Sequence, residues 1–254
     1  SGAEPRWLTL GLVLEEGLAV EALCRVLDSI AAAANEAGVR VVAGDTKVVA
    51  RGQADGMYIN TAGVGVMRAG LRLSERVVEP GDVILLSGTI ADHGMAVMLQ
   101  RENEDSIRSE LASDVAPIGG LVGALLAAAP SVRFMRDPTR GGLAGVLADL
   151  AERSGRRVTV DETAVPIRRA TLYAAEVLGI DPLDVANEGK LVAVTPAAEA
   201  DAALDAMREH PLGRAAGRIG VVGEEADGLC EMITDVGGRR VLQKPYGEQL
   251  PRIC

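Results

Sequence analysis

Aromatic side chains are almost missing from this chain. One tryptophan, one phenylalanine and three tyrosines make up 2% of its 254 residues. A core must therefore be built from Ala, Leu and Val, and no series of aromatic faces is on offer for stacking bases. Basic runs are missing as well. Lys and Arg number 26 against 36 Asp and Glu, a formal charge of −10, which argues against nucleic acid and anionic membranes as partners. The longest apolar stretch, Ile118 to Pro130, is too short and glycine-rich to span a bilayer, and no N-terminal signal sequence is visible. The only histidines, His93 and His210, lie far apart, and the three cysteines form no Cys-x-x-Cys pair, which argues against a structural zinc site. A reducing cytosol fits this cysteine usage best.

What is there begins with those cysteines. Val20, Leu23, Cys24, Leu27, Ile30, Ala31 and Ala34 recur at helical spacing, so Cys24 is expected on a buried helix stripe. Cys230 follows Asp227-Gly228 and precedes Met232-Ile233, the setting of a packed thiol at a strand edge. Cys254 has no such explanation. Its approach, Gln243 to Cys254, carries Pro245, Gly247 and Pro251, and the missing proline N–H groups disfavour both helix interior and central strand. Such a tail of about eleven residues reaches at most about 36–40 Å, so its thiol can visit one site on its own protein and another on a partner. A frayed end that happens to carry cysteine accounts for the tail equally well.

The pattern predicts α+β architecture, because strands and helices mix without strict alternation. Strands are expected at Trp7–Leu14, Val39–Val42 (short and buried) and Met57–Val66, around a helix that stops at Gly38. Glu79-Pro80-Gly81-Asp82 is a turn, after which the pattern restarts. Further strands are expected at Val83–Leu86, Val132–Met135, Arg157–Val160, Leu191–Val194, Arg218–Val222, Met232–Thr234 and Arg239–Leu242. Helices are expected at Gly94–Arg101, Ala116–Ala129, Gly141–Arg153, Ile167–Leu178 and Ala197–His210. The resulting organisation is an N-terminal domain over 1–70, a C-terminal α+β domain over 71–242 and a mobile tail over 243–254. Ser1-Gly2-Ala3-Glu4-Pro5 has no initiating methionine, compatible with a processed or a shortened N-terminus.

Three loops carry chemistry-bearing residues. Gly44-Asp45-Thr46-Lys47, at the end of an apolar strand, offers a carboxylate for Mg²⁺, a hydroxyl and an ammonium for a phosphoryl group; a strand-end turn with solvated charges needs the same residues. Arg136-Asp137-Pro138-Thr139-Arg140-Gly141-Gly142 precedes a helix, where two glycines allow a ligand to approach backbone N–H groups and the dipole favours an anion. Thr139 can equally be a plain N-cap, and the glycine–lysine–hydroxyl order of a Walker A loop is absent. In Asn187-Glu188-Gly189-Lys190, Glu188 can serve as a base if burial tunes it, or can simply pair with Lys190. His93, in Asp92-His93-Gly94, is expected at a helix start in a structural role.

Taken together these segments are far more specific. Leu14-Glu15-Glu16-Gly17-Leu18, Val42 to Val49, Ile59-Asn60-Thr61-Ala62-Gly63, Asp92 to Met98, Asp137 to Leu143, Asn187 to Lys190 and the ending Pro251-Arg252-Ile253-Cys254 occur in order and nearly end to end. In this the chain resembles the HypE family of hydrogenase-maturation proteins, ATP-dependent carbamoyl dehydratases that make the cyanide ligands of nickel–iron hydrogenases. The ending separates that family from others on the aminoimidazole ribonucleotide synthetase-like fold.

The resemblance implies a two-domain α+β fold, a homodimer through the N-terminal domains, and ATP bound near that junction with Mg²⁺. It implies that a partner, HypF, carbamoylates Cys254, that ATP drives dehydration to a thiocyanate, and that the cyano group passes to a HypC–HypD complex. It points to Glu188 and Lys47 as assisting dehydration, to Gly44, Asp45 and Thr46 at metal and phosphates with Asp45 as metal ligand, and to Asp137, Thr139, Arg140, Gly141 and Gly142 lining the site. Family members carry a further N-terminal segment, with glycines and acidic residues at the ATP site, ahead of the point where this chain begins. A shortened chain is thus expected to bind ATP weakly and to turn over poorly. Ala91 stands where the family usually has glycine. A different class of function also remains open here, a carrier or docking module that presents Cys254 to partners without ATP chemistry.

Overall fold

The computed structural model describes residues 2–102 and 111–244, which divide into two units, Gly2–Gly70 and a second beginning at Leu71. Cys254, Arg252 and the rest of the tail beyond Lys244 lie outside the described residues. Among the described residues no helix is long and apolar enough to cross a membrane.

The first unit is a three-stranded sheet in the order β2-β1-β3 with one helix. β1 (Ala3–Glu15) pairs in parallel with β2 (Arg40–Val49) and antiparallel with β3 (Met57–Met67), and α1 (Val20–Glu36) forms the crossover between β1 and β2. α1 ends at Gly38, whose φ of +68° lets Val39 N–H reach back to Ala34 O and Gly38 N–H to Asn35 O, satisfying carbonyls that the helix end would orphan. The Glu15 carboxylate accepts from Gly52 and Gly56 N–H, ties the β2–β3 connection to the end of β1, and is held below the ordinary carboxylate range by those bonds.

Three expectations change here. Cys24 is exposed. The helix face turned inward is Ala22, Leu23, Val26, Ile30 and Ala34; the flank Val20, Cys24, Leu27 and Ala31 stays outside, because three strands cover only a narrow stripe. The expected short buried strand at Val39–Val42 is a ten-residue strand with Val41, Val42 and Val48 exposed. Gly44 to Lys47 are consequently in mid-strand, not in a loop.

The second unit is built on a seven-stranded mixed sheet, order β10-β9-β6-β8-β4-β7-β5. Its strands are β4 (Val83–Leu86), β5 (Phe134–Arg136), β6 (Val158–Asp161), β7 (Val192–Thr195), β8 (Gly217–Val222), β9 (Cys230–Ile233) and β10 (Arg239–Val241). Its helices are α2 (Asp92–Glu102), α3 (Gly119–Ala128), α4 (Gly142–Ser154), α5 (Arg169–Leu178) and α6 (Ala197–Glu209). Every residue of β4 and β7 is buried, and the two-residue period of a strand sorts them to opposite faces. Ile84, Leu86, Val192 and Val194 pack with Leu143, Leu147 and Leu150 of α4. Val83, Leu85 and Ala193 pack with Leu121 and Leu125 of α3 and Ala203 and Met207 of α6. A third cluster joins Met95 and Leu99 of α2 to Ala174 and Ala175 of α5. At about 1.5–3 kcal/mol per fully buried branched side chain, this core dominates the stability of the unit. Cys230 opens β9 fully enclosed, and burial pushes its thiol up to about 12, leaving it unreactive.

The strand order places the site. β4 and β5 both run antiparallel to β7, which lies between them. The C-terminal ends of β4 and β5 therefore meet the beginning of β7 at one edge of the sheet. The loops there are 87–91, leading into α2; 137–141, leading into α4; and 185–191, leading into β7.

Candidate active site

Asn187 stitches these loops together. Its side chain is buried; Oδ1 accepts from Ala91 N–H (2.6 Å), while Nδ2 donates to Pro138 O (3.0 Å) and Val185 O (2.8 Å). Its carbonyl accepts from the Thr139 hydroxyl at 3.2 Å, and that hydroxyl also reaches Asp137 Oδ2 at 2.6 Å. Thr139 is therefore a clasp between Asp137 and the Asn187 turn rather than a helix cap; the residue before α4 is Gly141, with φ of +74°. Ala91 has φ of +67°, the one left-handed non-glycine backbone among the described residues, which is why glycine would be the easier occupant.

Glu188 is half-buried beside these clasps. Burial pushes its carboxyl above the ordinary range; nearby His93 offsets part of the rise, and Asp137 and Asp114 add to it. The expected pairing with Lys190 does not form. The Lys190 ammonium meets Asp114 in a largely buried ion pair, lying across Gly88, so Glu188 keeps no lysine partner of its own motif. Gly189, with φ of +67°, sits so close under the backbone of Asp114 that a Cβ would collide with it. His93 occupies the first turn of α2, as expected, and its Nδ1 lies 2.8 Å from Ser113 Oγ.

Two glycines proposed to face a ligand have a different neighbour. A Cβ on Gly142, whose φ is +60°, would run into the backbone of Leu183, Asp184 and Val185, the 3-10 turn packed on the start of α4. A Cβ on Gly44 would stand 2.6 Å from Leu10 O in the paired strand β1. Close backbone approach within the protein accounts for both.

The structure thus brings Glu188, Asp137, Thr139 and the Arg140–Gly142 loop together in the second unit, and places Gly44, Asp45, Thr46 and Lys47 on one strand of the first. Sequence reasoning gave Asn187 no role beyond its place in the motif, none to Asp114, and to Lys190 only a pairing with Glu188. Asp114 carried no signal, since its partner is distant in sequence and only the fold joins them. Among the described residues no three His, Cys, Asp or Glu side chains gather as a complete metal cage. Mg²⁺ does not need one, since it takes one or two carboxylates and completes its shell with water and phosphates. The exposed Asp45 fits that demand: Oδ1 accepts from Thr46 N–H at 2.8 Å, which aims the group and leaves its second oxygen available.

Behind the site, Asp149 of α4 holds Arg136 at the end of β5 (2.7 Å) and also Lys244, where the described chain ends. Burial alone would raise the Asp149 carboxyl, but the bonds from Lys244 and Arg136 outweigh it and lower it. Lys244 bonds Glu152 as well (2.6 Å), so the root of the tail is fastened to the helix that starts at the site.

Comparison with known proteins defines first a class. Residues 1–67 match the N-terminal domain and 79–231 the C-terminal domain of AIR synthase related protein. Within that class the chain is 50% identical over its full length to carbamoyl dehydratase HypE of Cupriavidus necator, of which it covers 72%. It is 44% identical, with a TM-score of 0.94, to the crystal structure of hydrogenase maturation protein HypE in complex with ATP, covering 100% of this chain and 76% of that one. A crystal structure of a HypE–HypF complex matches at 43% identity and a TM-score of 0.91, covering 96% of this chain and 79% of that chain. The chain belongs to the carbamoyl dehydratase HypE family.

Proposed function

We propose that this chain uses ATP to dehydrate an S-carbamoyl group on Cys254 to a thiocyanate, for cyanide ligand synthesis in nickel–iron hydrogenase maturation. The reading is supported by the full-length likeness to carbamoyl dehydratase HypE and to a HypE that binds ATP. The observation that carries the site assignment is Glu188: a half-buried carboxyl, raised by burial, with the lysine of its own motif engaged elsewhere.

An amide oxygen is a poor leaving group, and ATP supplies the phosphoryl group that makes it a good one. The amide nitrogen must also lose its protons, and a carboxylate that holds protons above its ordinary range is suited to take them near neutral pH. Glu188 is assigned this role. Lys47 offsets charge on the transferring phosphoryl group, Asp45 holds Mg²⁺, and Thr46 faces the phosphates. Asp137, Thr139 and Arg140 line the substrate side. Gly44 and Gly142 act indirectly, Gly44 by letting β2 lie close on β1 and Gly142 by letting α4 start close on Leu183–Val185.

HypF is the expected carbamoyl donor, by likeness to the HypE–HypF complex. A HypC–HypD complex as acceptor and a cytoplasmic setting complete the proposal. The exposed apolar side chains of the first sheet, Val42, Tyr58, Ile59 and Val64 among them, support a homodimer through that unit.

The test is single-turnover conversion, with Mg-ATP, of Cys254-carbamoylated protein that also carries the family's further N-terminal segment, followed by mass analysis of the C-terminal peptide for loss of one water. Glu188→Gln should slow it by about 10²–10⁴-fold with ATP still bound, and Lys47→Met should slow it as well. No loss of water in the parent protein would refute the reading.

A further inference from the structure

Dehydration of a primary carboxamide releases two protons from one nitrogen, whereas Glu188 can hold one at a time. The neighbouring carboxylates each have a partner of their own. Asp137 is engaged by the Thr139 hydroxyl, and Asp114 by Lys190. His93 is placed differently. Gly94 N–H donates to Ala186 O (3.2 Å) and Ala91 N–H to Asn187 Oδ1, so the first turn of α2 is pinned on either side of His93 against the segment that carries Glu188. The other side of the imidazole meets a hydroxyl, Ser113 Oγ, which also accepts from Val115 N–H at 3.2 Å. A carbonyl or carboxylate there would fix one tautomer; a hydroxyl can donate to a bare Nδ1 or accept from a protonated one, so both states of the ring keep the bond. Ser113 is exposed, which gives the route a wet end.

We propose that His93 is the proton relay of this site, acting through Glu188 without touching the substrate. The inference rests on the dehydratase reading above. As the carboxamide oxygen bonds the γ-phosphorus and the bond to ADP breaks, the first N–H proton passes to Glu188. Among the described residues no hydrogen bond or ion pair joins these two side chains directly, so Glu188 hands that proton to His93 through an intervening water, and His93 releases it on the Ser113 side. The restored carboxylate takes the second N–H proton while the C–O bond breaks; the N–H electron pair becomes the third C–N bond, and phosphate leaves with the C–O pair. The charged groups around the pair are Asp137 from the β5–α4 loop, Asp114 and Lys190 as an ion pair, and, at the start of α2, Asp92 with Arg168 (3.2 Å).

The test compares His93→Asn, which keeps a polar atom for Ser113 but does not titrate, with His93→Gly. In single turnover His93→Asn should be about 10–100-fold slower at unchanged ATP affinity, and its pH–rate profile should lose a limb present in the parent. Added imidazole should restore much of the rate to His93→Gly, a rescue that a purely structural role does not predict. Only His93 and His210 contribute ring signals. The ring ¹⁵N shifts of His93 should change in Glu188→Gln while those of His210 stay fixed. A His93→Asn protein with parental rate and pH profile, or His93 shifts indifferent to Glu188→Gln, would overturn the relay. If the parent protein forms no thiocyanate, the dehydratase reading fails, and the ring shifts still decide whether the two side chains are coupled.

Discussion

The two units spend similar apolar sequence in opposite ways. In Gly2–Gly70, β2 carries Val41, Val42, Val48 and Val49 and β3 carries Val64 and Val66, yet only Leu12, Ala34 and Val39 among the apolar side chains there are buried, and Val42 and Ile59 are 56% and 46% exposed. From Leu71 onward the four residues of β4 are at most 3% exposed, and each face of the sheet has its own helix layer. The difference teaches that apolar patterning specifies a strand but not what will cover it. The second unit carries its own cover; the first presents surface that a second chain can use.

The largest expected break in this contrast is Gly142→Ala. A Cβ there meets backbone that cannot step aside, on top of a left-handed φ, and the cost should exceed about 4 kcal/mol, seen as loss of the main unfolding transition. Gly56→Ala in the first unit has open space around it and should cost only the left-handed strain, roughly 1–2 kcal/mol. Next comes Asn187→Ala, which orphans the Ala91 N–H and the Val185 carbonyl, while Pro138 O keeps the Asn187 backbone N–H, and should cost about 2–4 kcal/mol in denaturant melts. Ile59→Lys should leave the unfolding of the second unit within about 0.5 kcal/mol. It should weaken self-association by about tenfold or more in sedimentation; an unchanged association constant would remove the first sheet from the dimer interface.

The smallest effect is on the pH dependence of stability. Burial raises the folded-state value of Glu188, so its ionised form costs stability at neutral pH, and stability is recovered as pH falls through that raised value. Glu188→Gln should therefore melt slightly higher than the parent near neutrality, by roughly 1–2 °C after allowance for solvent screening. The advantage should vanish once pH drops into the ordinary carboxylate range.

Much of this was legible in the sequence. The α+β class and most elements of the second unit fall within a few residues of expectation, because fully apolar four-residue runs and helical spacing leave few alternatives. What escaped was whatever depends on a partner distant in the chain. The outer flank of α1 and its buried stripe merge in one helical pattern, and Cys24 fell on the wrong side. Gly44 and Gly142 looked like ligand-facing glycines because the backbone that crowds them, Leu10 and Leu183–Val185, is close only in the fold. Glu188 and Lys190 stand two apart in a charged turn, and nothing local says that the lysine turns away to Asp114.

The position of β7 has one further consequence. Leu191 and Ala193 enter the core on one side of the sheet, Val192 and Val194 the core on the other. Inserting or deleting a single residue between Lys190 and Val192 would exchange the two sets and spoil both layers at once. The strand therefore acts as a parity lock on the Asn187–Lys190 turn. Descendants of this chain can change the chemistry of that turn by substitution, but they cannot adjust its reach by single-residue steps.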